Sequence, residues 1–500
     1  MSLVETRLPS HYISKDNSEE KLKKERDSCE RDSLEYKVAS QKLNIRMMKN
    51  RGIRREKAKL ELDSDKFGKY VYNNRIKAKL IHQQVYFYNV HKGIHDQVNE
   101  RFILKCMKEI LEECPYNVWS MGRQNVYLES FMLCLEHITE LIPDPNSLLL
   151  NNGILYIDDF CNGKQTLAPF TPDEIHLTRV PHNYDPSASC EIFIHTLNDI
   201  FNYDKQTVLA FQEIMGWLLY YGGRWKIQKF IVFYGSGSNG KSLLCSVIRR
   251  LLGEENCSSA FLDSIQERFG FQDMFGKMVN ISPESEQKKD LNSASIKAFT
   301  GGDAVTYEFK HKPSFTDYNY TKLIIATNSK IKTNDRSMGF FRRLHIFPFE
   351  NTYKELKAGE QRKPNIKYMD TELEAKLIAE LPGILNFALE GLKRLIDNKW
   401  RLTESDKMKS FQDQYYREAN ELEAFADQCL LYKEDGKIKS SEVYLLYENW
   451  CRDVLNKDAS YTRVNFHRAF KEYLNNEGVI WRSVEIRGYQ HYKGIANADE

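Results

Sequence analysis

The spacing of apolar residues changes several times along the chain, and each change marks an expected element. From Phe67 to about Leu141, "RFILKCMKEILEEC" and "NVYLESFMLCLEHITEL" place apolar residues three and four apart, which predicts amphipathic helices; Pro143 and Pro145 close the unit. "SLLLNNGILYIDDF" and "IHLTRVPHNYDP" follow as short β-like runs punctuated by Asn-Gly, Pro and Asp. Two more amphipathic helices are expected near 190–201 and 206–220. Between about 228 and 350, "FIVFY", "MVNIS", "KLIIATN" and "RRLHIFPF" read as strands with helices between them, an alternation that predicts a parallel sheet covered on both faces. "NTYKELKAGEQRKP" then reads as a linker and "LIAELPGILNFALEGLKRLI" as a helical lid. The last stretch is helix-rich and ends in two strands, "VIWRSVEIRG" and "YQHYKGI". The first 65 residues differ from all of this. "KLKKERDSCERD" and "KNRGIRREKAKLELD" alternate charge with little apolar period, the pattern of a solvated helix or a disordered arm, with a partner-binding arm as the sharper alternative.

The expectation is a multidomain α/β protein: a charged arm or linker over 1–65, a helical and small α+β domain over 66–220, a parallel-sheet core over 221–350, a linker and lid over 351–404, and a helix-and-hairpin domain over 405–500. A chain of 500 residues is too long for one core. A net charge of +2 excludes a global basic field, so any contact with nucleic acid must come from local patches. The ten cysteines show neither Cys-x-x-Cys nor zinc-ligand spacing and are expected as reduced thiols. No apolar run is long enough to span a bilayer and no signal-peptide pattern is present, so a soluble, cytoplasmic protein without a membrane partner is expected.

One turn carries a specific chemistry. Gly235, Ser236, Gly237, Ser238, Asn239, Gly240, Lys241 and Ser242 fit G-x-x-x-x-G-K-[ST], fed by an apolar strand and followed by "SLLCSVIRRLL" as a helix. Glycines let backbone N–H groups approach phosphate oxygens closely, and the helix N-terminus adds partial positive charge. Lys241 supplies a cation for the β- and γ-phosphates, and the Ser242 hydroxyl can ligate Mg²⁺. ATP with Mg²⁺ is the expected ligand pair.

Three later segments decide what kind of nucleotide site this is. "KMVNISPESE" is a strand with acids at its carboxyl end, where ligands of open α/β sheets sit, so Glu284 is placed to polarise water or hold Mg²⁺, with Glu286 as substitute; the alternative is a solvated acidic turn. "KLIIATN" ends in Asn328, an amide placed to orient the attacking water or contact the γ-phosphate; the alternative is a plain turn residue. In "GFFRRLHIFPF", Arg343, or failing that Arg342, is expected to meet the charge that develops in phosphoryl transfer, and such an arginine can come from another molecule. "TGGDAVTYEFKHKPSF" reads as a hairpin whose tip carries Lys310, His311 and Lys312, three potential cations suited to a nucleic-acid phosphate. "YIDDF" could pass for paired polymerase carboxylates, but no second acid cluster accompanies it, and a polar turn is the favoured reading.

The ordered set GSGSNGKS, NISPESE, TGGDAVTYEFKHK, ATN and FFRRLHIFPF resembles the superfamily 3 helicases, a branch of the AAA+ motors, most closely the helicase portions of phage, satellite and poxvirus primase–helicases. The resemblance covers roughly 80–400. It implies a ring, usually a hexamer, with ATP bound between subunits: Lys241 and Ser242 in cis, Arg343 reaching in from the neighbour, and Lys310 with His311 tracking single-stranded DNA in the channel, 3′ to 5′. It also implies that the small domain before the motor serves oligomerisation. Pro283 stands where relatives often carry a first acid, which leaves the metal to Ser242, Glu284 or Glu286.

Near the end of the chain, "SEVYLLYENWCRD" and "RVNFHRAFKEYLN" are amphipathic helices, the second carrying Arg463, His467, Arg468 and Lys471. Arg482, Arg487, His491 and Lys493 are interleaved with Trp481, Tyr489 and Tyr492 in the strands that follow. That order is the winged-helix order, with the second helix in a major groove and the wing on the backbone; a packing domain with a wet charged face competes. The expected function is an ATP-dependent, hexameric DNA helicase acting on single-stranded and forked DNA in the replication of a phage, satellite or other mobile element. Its site of action would be a bacterial cytoplasm or a viral replication site. It would bind origin duplex and work beside a primase or polymerase. The second hypothesis is a sequence-specific DNA-binding initiator whose ATP site controls assembly. A small-molecule kinase lacks an evident acceptor cleft.

Overall fold

Five strands form the central sheet: β1 (Phe230–Tyr234), β2 (Cys257–Ser258), β3 (Val279–Ser282), β4 (Lys322–Thr327) and β5 (Leu344–Pro348). All pairings are parallel, in the order β2-β3-β4-β1-β5. Alternate residues serve opposite layers, as the two-residue period of a strand requires. Ile231 and Phe233 join one core cluster, and Phe230 and Val232 join another. Both faces of the sheet are therefore buried, which explains the unbroken apolar runs. The structure, a computed structural model, describes residues 8–498 apart from 58, 222–225, 268, 284–290, 292, 311–312, 332, 334, 336, 357–362, 364–365 and 420.

One face of the sheet is covered by α1 (Glu191–Ile200), α2 (Lys205–Leu219), α3 (Lys241–Leu252), α4 (Leu373–Ala379) and α5 (Leu381–Asp397). The lid helix α5 lies directly on α2. A Cβ at Gly216 would fall 2.3 Å from the Leu392 nitrogen, and one at Gly391 would fall 2.0 Å from the Gln212 carbonyl oxygen. The crossing also buries Glu213, which accepts from Arg394 Nε at 2.9 Å and from the Thr403 backbone at 2.7 Å. The other face of the sheet is covered by residues of the helix Ser293–Gly301, by Phe340 and Phe341, and by Tyr415 of α6 (Asp406–Ala419).

Core membership divides the chain differently from the sequence boundaries. Residues of the expected 66–220 unit fall into two clusters. Phe67, Phe87, Ile103 and Phe131 belong to an amino-terminal core, whereas Leu148, Leu155 and Phe160 pack with the central sheet. The expected charged arm is part of that amino-terminal core. Its helices Asn17–Asp27 and Leu34–Arg51 start at Asp16 and Ser33, whose side chains accept from backbone N–H groups of the first turn. The second helix buries Ala39, Leu43 and Met47 at four-residue spacing, and the hairpin Ile53–Glu56/Lys59–Leu62 adds Ile53 and Leu62.

Charge hid this core because two of the charges are inside it. Arg51, with 0% exposure, bonds Glu19 Oε1 and Glu113 Oε2 at 2.7 Å each and donates to the Ile110 carbonyl. Arg75 completes the set on Glu113. Such buried ions are tolerated because every partner is present.

The last part of the chain runs α7 (Glu421–Cys429), β6 (Leu430–Lys439), α8 (Ser440–Leu455), α9 (Arg463–Asn476), β7 (Arg482–Ile486) and β8 (Tyr489–Asn497). The strands pair antiparallel in the order β6-β8-β7 over a core of Phe425, Tyr447, Phe466, Phe470 and Tyr492. Among the described residues no helix is long and apolar enough to cross a membrane.

The α2–α5 crossing supplies a test of the packing. Gly391→Ala pushes a methyl into the Gln212 carbonyl and is expected to cost about 1–3 kcal/mol. The readout is a lower urea midpoint with an unchanged slope.

Candidate functional site

The loop after β1 needs its glycines. A Cβ at Gly235 would lie 2.2 Å from Asn239 Nδ2 and 2.4 Å from the Phe349 carbonyl oxygen. Gly237 and Gly240 sit at φ of +101° and +93°, and Ser238 between them at +47°, all in the left-handed region. The loop is pinned at its base by Gly235 N–H donating to the Thr327 carbonyl, and at its crest by Tyr353 N–H donating to the Ser238 carbonyl. Asn239 is buried and donates to the Phe349 carbonyl at 3.3 Å. Lys241, the first residue of α3, is only 3% exposed; its ammonium donates to the Gly235 carbonyl and, at 3.1 Å, to Asn239 Oδ1. Ser242 is exposed on the first turn of α3. A left-handed glycine cradle with one buried ammonium fits a polyphosphate.

The strand order sets the rest of the site. β4 lies between β1 and β3, with Thr327 in register with Tyr234, so Asn328 emerges exposed beside the loop. β3 ends at Ser282 on the same edge; Glu284 and Glu286 lie outside the described residues.

The loop forms one wall of a cleft of about 970 Å³. The facing walls come from Ile192, His195 and Asp199 of α1, from Tyr353, and from Tyr368 and Met369. Asp199 accepts from the Tyr353 hydroxyl at 2.6 Å and pairs with Lys367 at 2.8 Å. Burial alone would raise the Asp199 carboxyl, but the hydrogen bonds from Lys367 and Tyr353 outweigh it and hold the pKa below the ordinary value. The Tyr353 phenol is pushed up, first by burial and then by that same bond. The sequence pattern marks none of Asp199, Tyr353 and Lys367. The second and third lie 154 and 168 residues from the first, and only the fold brings them together.

The two arginines separate sharply. Arg343 is 9% exposed, and its guanidinium is committed: Nε donates to Thr300 Oγ1 at 3.1 Å and Nη1 to the Gly339 carbonyl at 2.5 Å. Burial, and then the adjacent Arg342, lower its pKa. Arg342 is exposed. Both stand at the amino end of β5, where the Arg343 carbonyl accepts from Phe230 N–H at 2.8 Å. They are thus at the opposite edge of the sheet from the phosphate loop of the same chain.

Thr300 lies at the root of the hairpin Ala304–Tyr307/Phe315–Tyr318. Lys310 is exposed in its turn, while His311 and Lys312 lie outside the described residues. The hairpin is moored on its far strand. Asp317 Oδ2 lies 2.5 Å from His82 Nε2 and accepts from Leu141 N–H at 3.2 Å, and the His82 ring stacks on Phe315 with centroids 4.1 Å apart. His82 occupies the turn of the amino-terminal hairpin Ala78–Ile81/Gln84–Tyr88 at a φ of +46°.

Along α9, Arg463, Arg468 and Lys471 are exposed. His467 instead turns inward, with Nδ1 2.9 Å from the Tyr492 hydroxyl; burial, then Arg463 and Lys471, depress its pKa. It therefore contributes packing rather than a charge to that face. In "YIDDF", Asp158 and Asp159 open a short helix, and Asp159 pairs with Lys164. Among the described residues no group of three or more His, Cys, Asp or Glu side chains could hold a metal ion.

Two substitutions test this geometry. Lys241→Ala removes the one cation of the cradle and is expected to weaken binding of a non-hydrolysable ATP analogue about 10- to 100-fold, measured by calorimetry, from the loss of charge-assisted bonds. His82→Ala removes one partner of the buried Asp317 carboxylate, which keeps the Leu141 N–H, and is expected to cost about 1–3 kcal/mol. Amide exchange within 304–318 is expected to rise well before exchange in β1.

Residues 233–343, from the phosphate-loop strand through the arginine pair, match a family described as a family of unknown function (DUF5906). A protein of Acanthamoeba polyphaga mimivirus named "Putative helicase L207/L206" is 25% identical over 247 residues, covering 44% of this chain and 24% of that protein. The chain thus spans about a quarter of that relative's length. Among solved structures, the A-form apo structure of the NrS-1 C-terminal region aligns with a TM-score of 0.46 and 14% identity over 85% of this chain and 97% of that one. A second apo structure of that region gives 0.46 and 13% over 84% and 96%.

Proposed function

We propose that the chain is one subunit of an ATP-driven DNA helicase of the superfamily 3 AAA+ type, working as a homo-hexamer in the replication of a phage, satellite or other mobile element. The observation that carries this reading is the separation of the arginine pair from the phosphate loop by the length of β1, about 16 Å at the usual strand rise. An exposed arginine at that edge cannot serve its own loop, but it can serve the loop of a neighbouring copy. The similarity to a viral protein named as a helicase supports the same reading.

In this reading the backbone of Gly235–Gly240 and the Lys241 ammonium hold the β- and γ-phosphates. Asn328 orients the attacking water, and Glu284, or Glu286 in its place, polarises it. Mg²⁺, held through Ser242 and one of these acids, would offset phosphate charge. The neighbour's Arg342 meets the charge that develops on the transferred group. Arg343 acts differently. Its bonds to Thr300 and Gly339 tie the arginine's strand to the hairpin root, so that engagement of Arg342 is passed to Lys310 on the DNA. Translocation runs 3′ to 5′ along single-stranded or forked DNA.

The final unit, with helix, strand, two helices and two strands in sheet order β6-β8-β7, supports a winged helix whose α9 presents Arg463, Arg468 and Lys471 to duplex DNA. With it the protein would recognise an origin, load its own ring and work beside a primase or polymerase. The second reading, a DNA-binding initiator whose ATP site controls assembly, is favoured by that same α9 surface. It predicts DNA binding and ATP turnover without strand displacement on a fork.

The arginines supply the decisive test. Arg342→Ala is expected to lower kcat for ATP about 10³-fold with nucleotide binding retained. Mixing it with Lys241→Ala protein restores part of the turnover, since each mixed seam can pair an intact loop with an intact arginine. Arg343→Ala is expected instead to lower the melting temperature and uncouple turnover from unwinding. If Arg342→Ala turns over ATP at the parent rate, the trans assignment fails.

A further inference from the structure

Exposed strands elsewhere in this chain set opposite charges against one another. In the amino-terminal hairpin Arg54 faces Glu61 and Glu56 faces Lys59. In the adjoining sheet Lys79 faces and pairs with Glu136. Such pairs stabilise a sheet, and like charges directly opposite destabilise it.

The carboxy-terminal sheet does the reverse. Lys437 of β6 faces Lys493 of β8, and Lys493 faces Arg482 of β7, so three cations stand in one row across three strands. In the next row Lys439 faces His491. The two-residue period puts these side chains on one face with Tyr489. Their alternates Ile438 and Tyr492 are 3% and 1% exposed and lie in the core against α7, α8 and α9. The cationic face is therefore the one turned away from the helices. Glu485, the acid of β7, faces Gln490 and alternates to the other side. Among the described residues, no ion pair joins Lys437, Lys439, Lys493 or Arg482 to a carboxylate. Tyr489 is 60% exposed, with the Lys439 ammonium 5.1 Å from its ring centroid.

We propose that this sheet face binds the phosphate backbone of nucleic acid, as a surface separate from α9. A row of repelling cations is a cost to the fold that a polyanion removes. At the usual inter-strand spacing the row spans about 10 Å. Duplex DNA presents about one charge per 1.7 Å of axis, enough to neutralise all three. Contacts to phosphate oxygens position DNA without reading its sequence, so this face would hold the duplex while base readout falls elsewhere. This surface does not depend on the nucleotide site, and its test is run without ATP.

The full chain carrying Lys437→Gln, Lys493→Gln and Arg482→Gln is compared with the parent for binding of mixed-sequence DNA, by fluorescence anisotropy across a salt series. The variant is expected to bind more weakly at every salt concentration. The slope of log Kd against log salt is expected to fall by about three, close to one for each phosphate contact removed. Arg482→Gln alone, at the exposed edge strand, is expected to lower the slope by about one, which keeps the test valid should the triple variant fold poorly. Unchanged affinity and slope overturn the proposal, and so does a parent chain that does not bind DNA. Unchanged DNA binding with lost binding to phosphatidylserine vesicles overturns it in favour of a membrane surface.

Discussion

A parallel sheet has two unlike edges, and the glycine loop and the arginine pair of this chain stand on opposite ones. β1 delivers the phosphate loop to the carboxyl edge, and β4, inserted beside it, delivers Asn328 to the same place. β5 begins at the other edge and holds the arginine pair there by the Phe230–Arg343 backbone bond. An arginine side chain is shorter than the strand between the two edges, so the fold keeps the Lys241 loop and the Arg342 guanidinium of one copy apart. A closed ring of such copies would bring the two together at every seam.

Polar ties hold the hairpin that carries Lys310 at its root and along its second strand, and Tyr307 and Phe315 pack on Phe275. Arg343 ties its root to β5 through Thr300, and His82 ties its second strand to the amino-terminal domain through Asp317. The first tie links the hairpin to the arginine edge. The second reaches the amino-terminal domain. A hairpin moored at its root and along its second strand moves with the bodies that hold it, so the amino-terminal domain and the central sheet would shift together.

The glycine loop between β1 and α3 was legible in the sequence because its signal is local: eight consecutive residues, a strand before them and a helix after. The parallel sheet was legible for the same reason, since runs buried on both faces stay apolar throughout. What could not be read was direction and company. Nothing in "FFRRL" says that Arg343 turns in to Thr300 while Arg342 turns out. The Asp199–Tyr353 contact joins two unremarkable segments, and no motif marks either. His467 has the right spacing for a groove-facing residue, but the Tyr492 hydroxyl draws it inward. The first 65 residues were misjudged by composition, because charge density predicts solvation only when the charges are outside. Here Glu19 and Arg51 are within the core.

That inward placement bears on how the chain can be cut. Arg51 is the donor that satisfies the Ile110 carbonyl and shares Glu113 with Arg75. A fragment starting at the compositional border near Phe67 would discard Arg51 together with Glu19. Glu113 would then be left to Arg75 alone, and the α-helical segment around Ile110 would lose its buried donor and the apolar cover of Leu43 and Met47. The stretch that looks most dispensable on paper is therefore a structural keystone, and a truncation drawn there would give a sticky, poorly folded product rather than a tidier fragment.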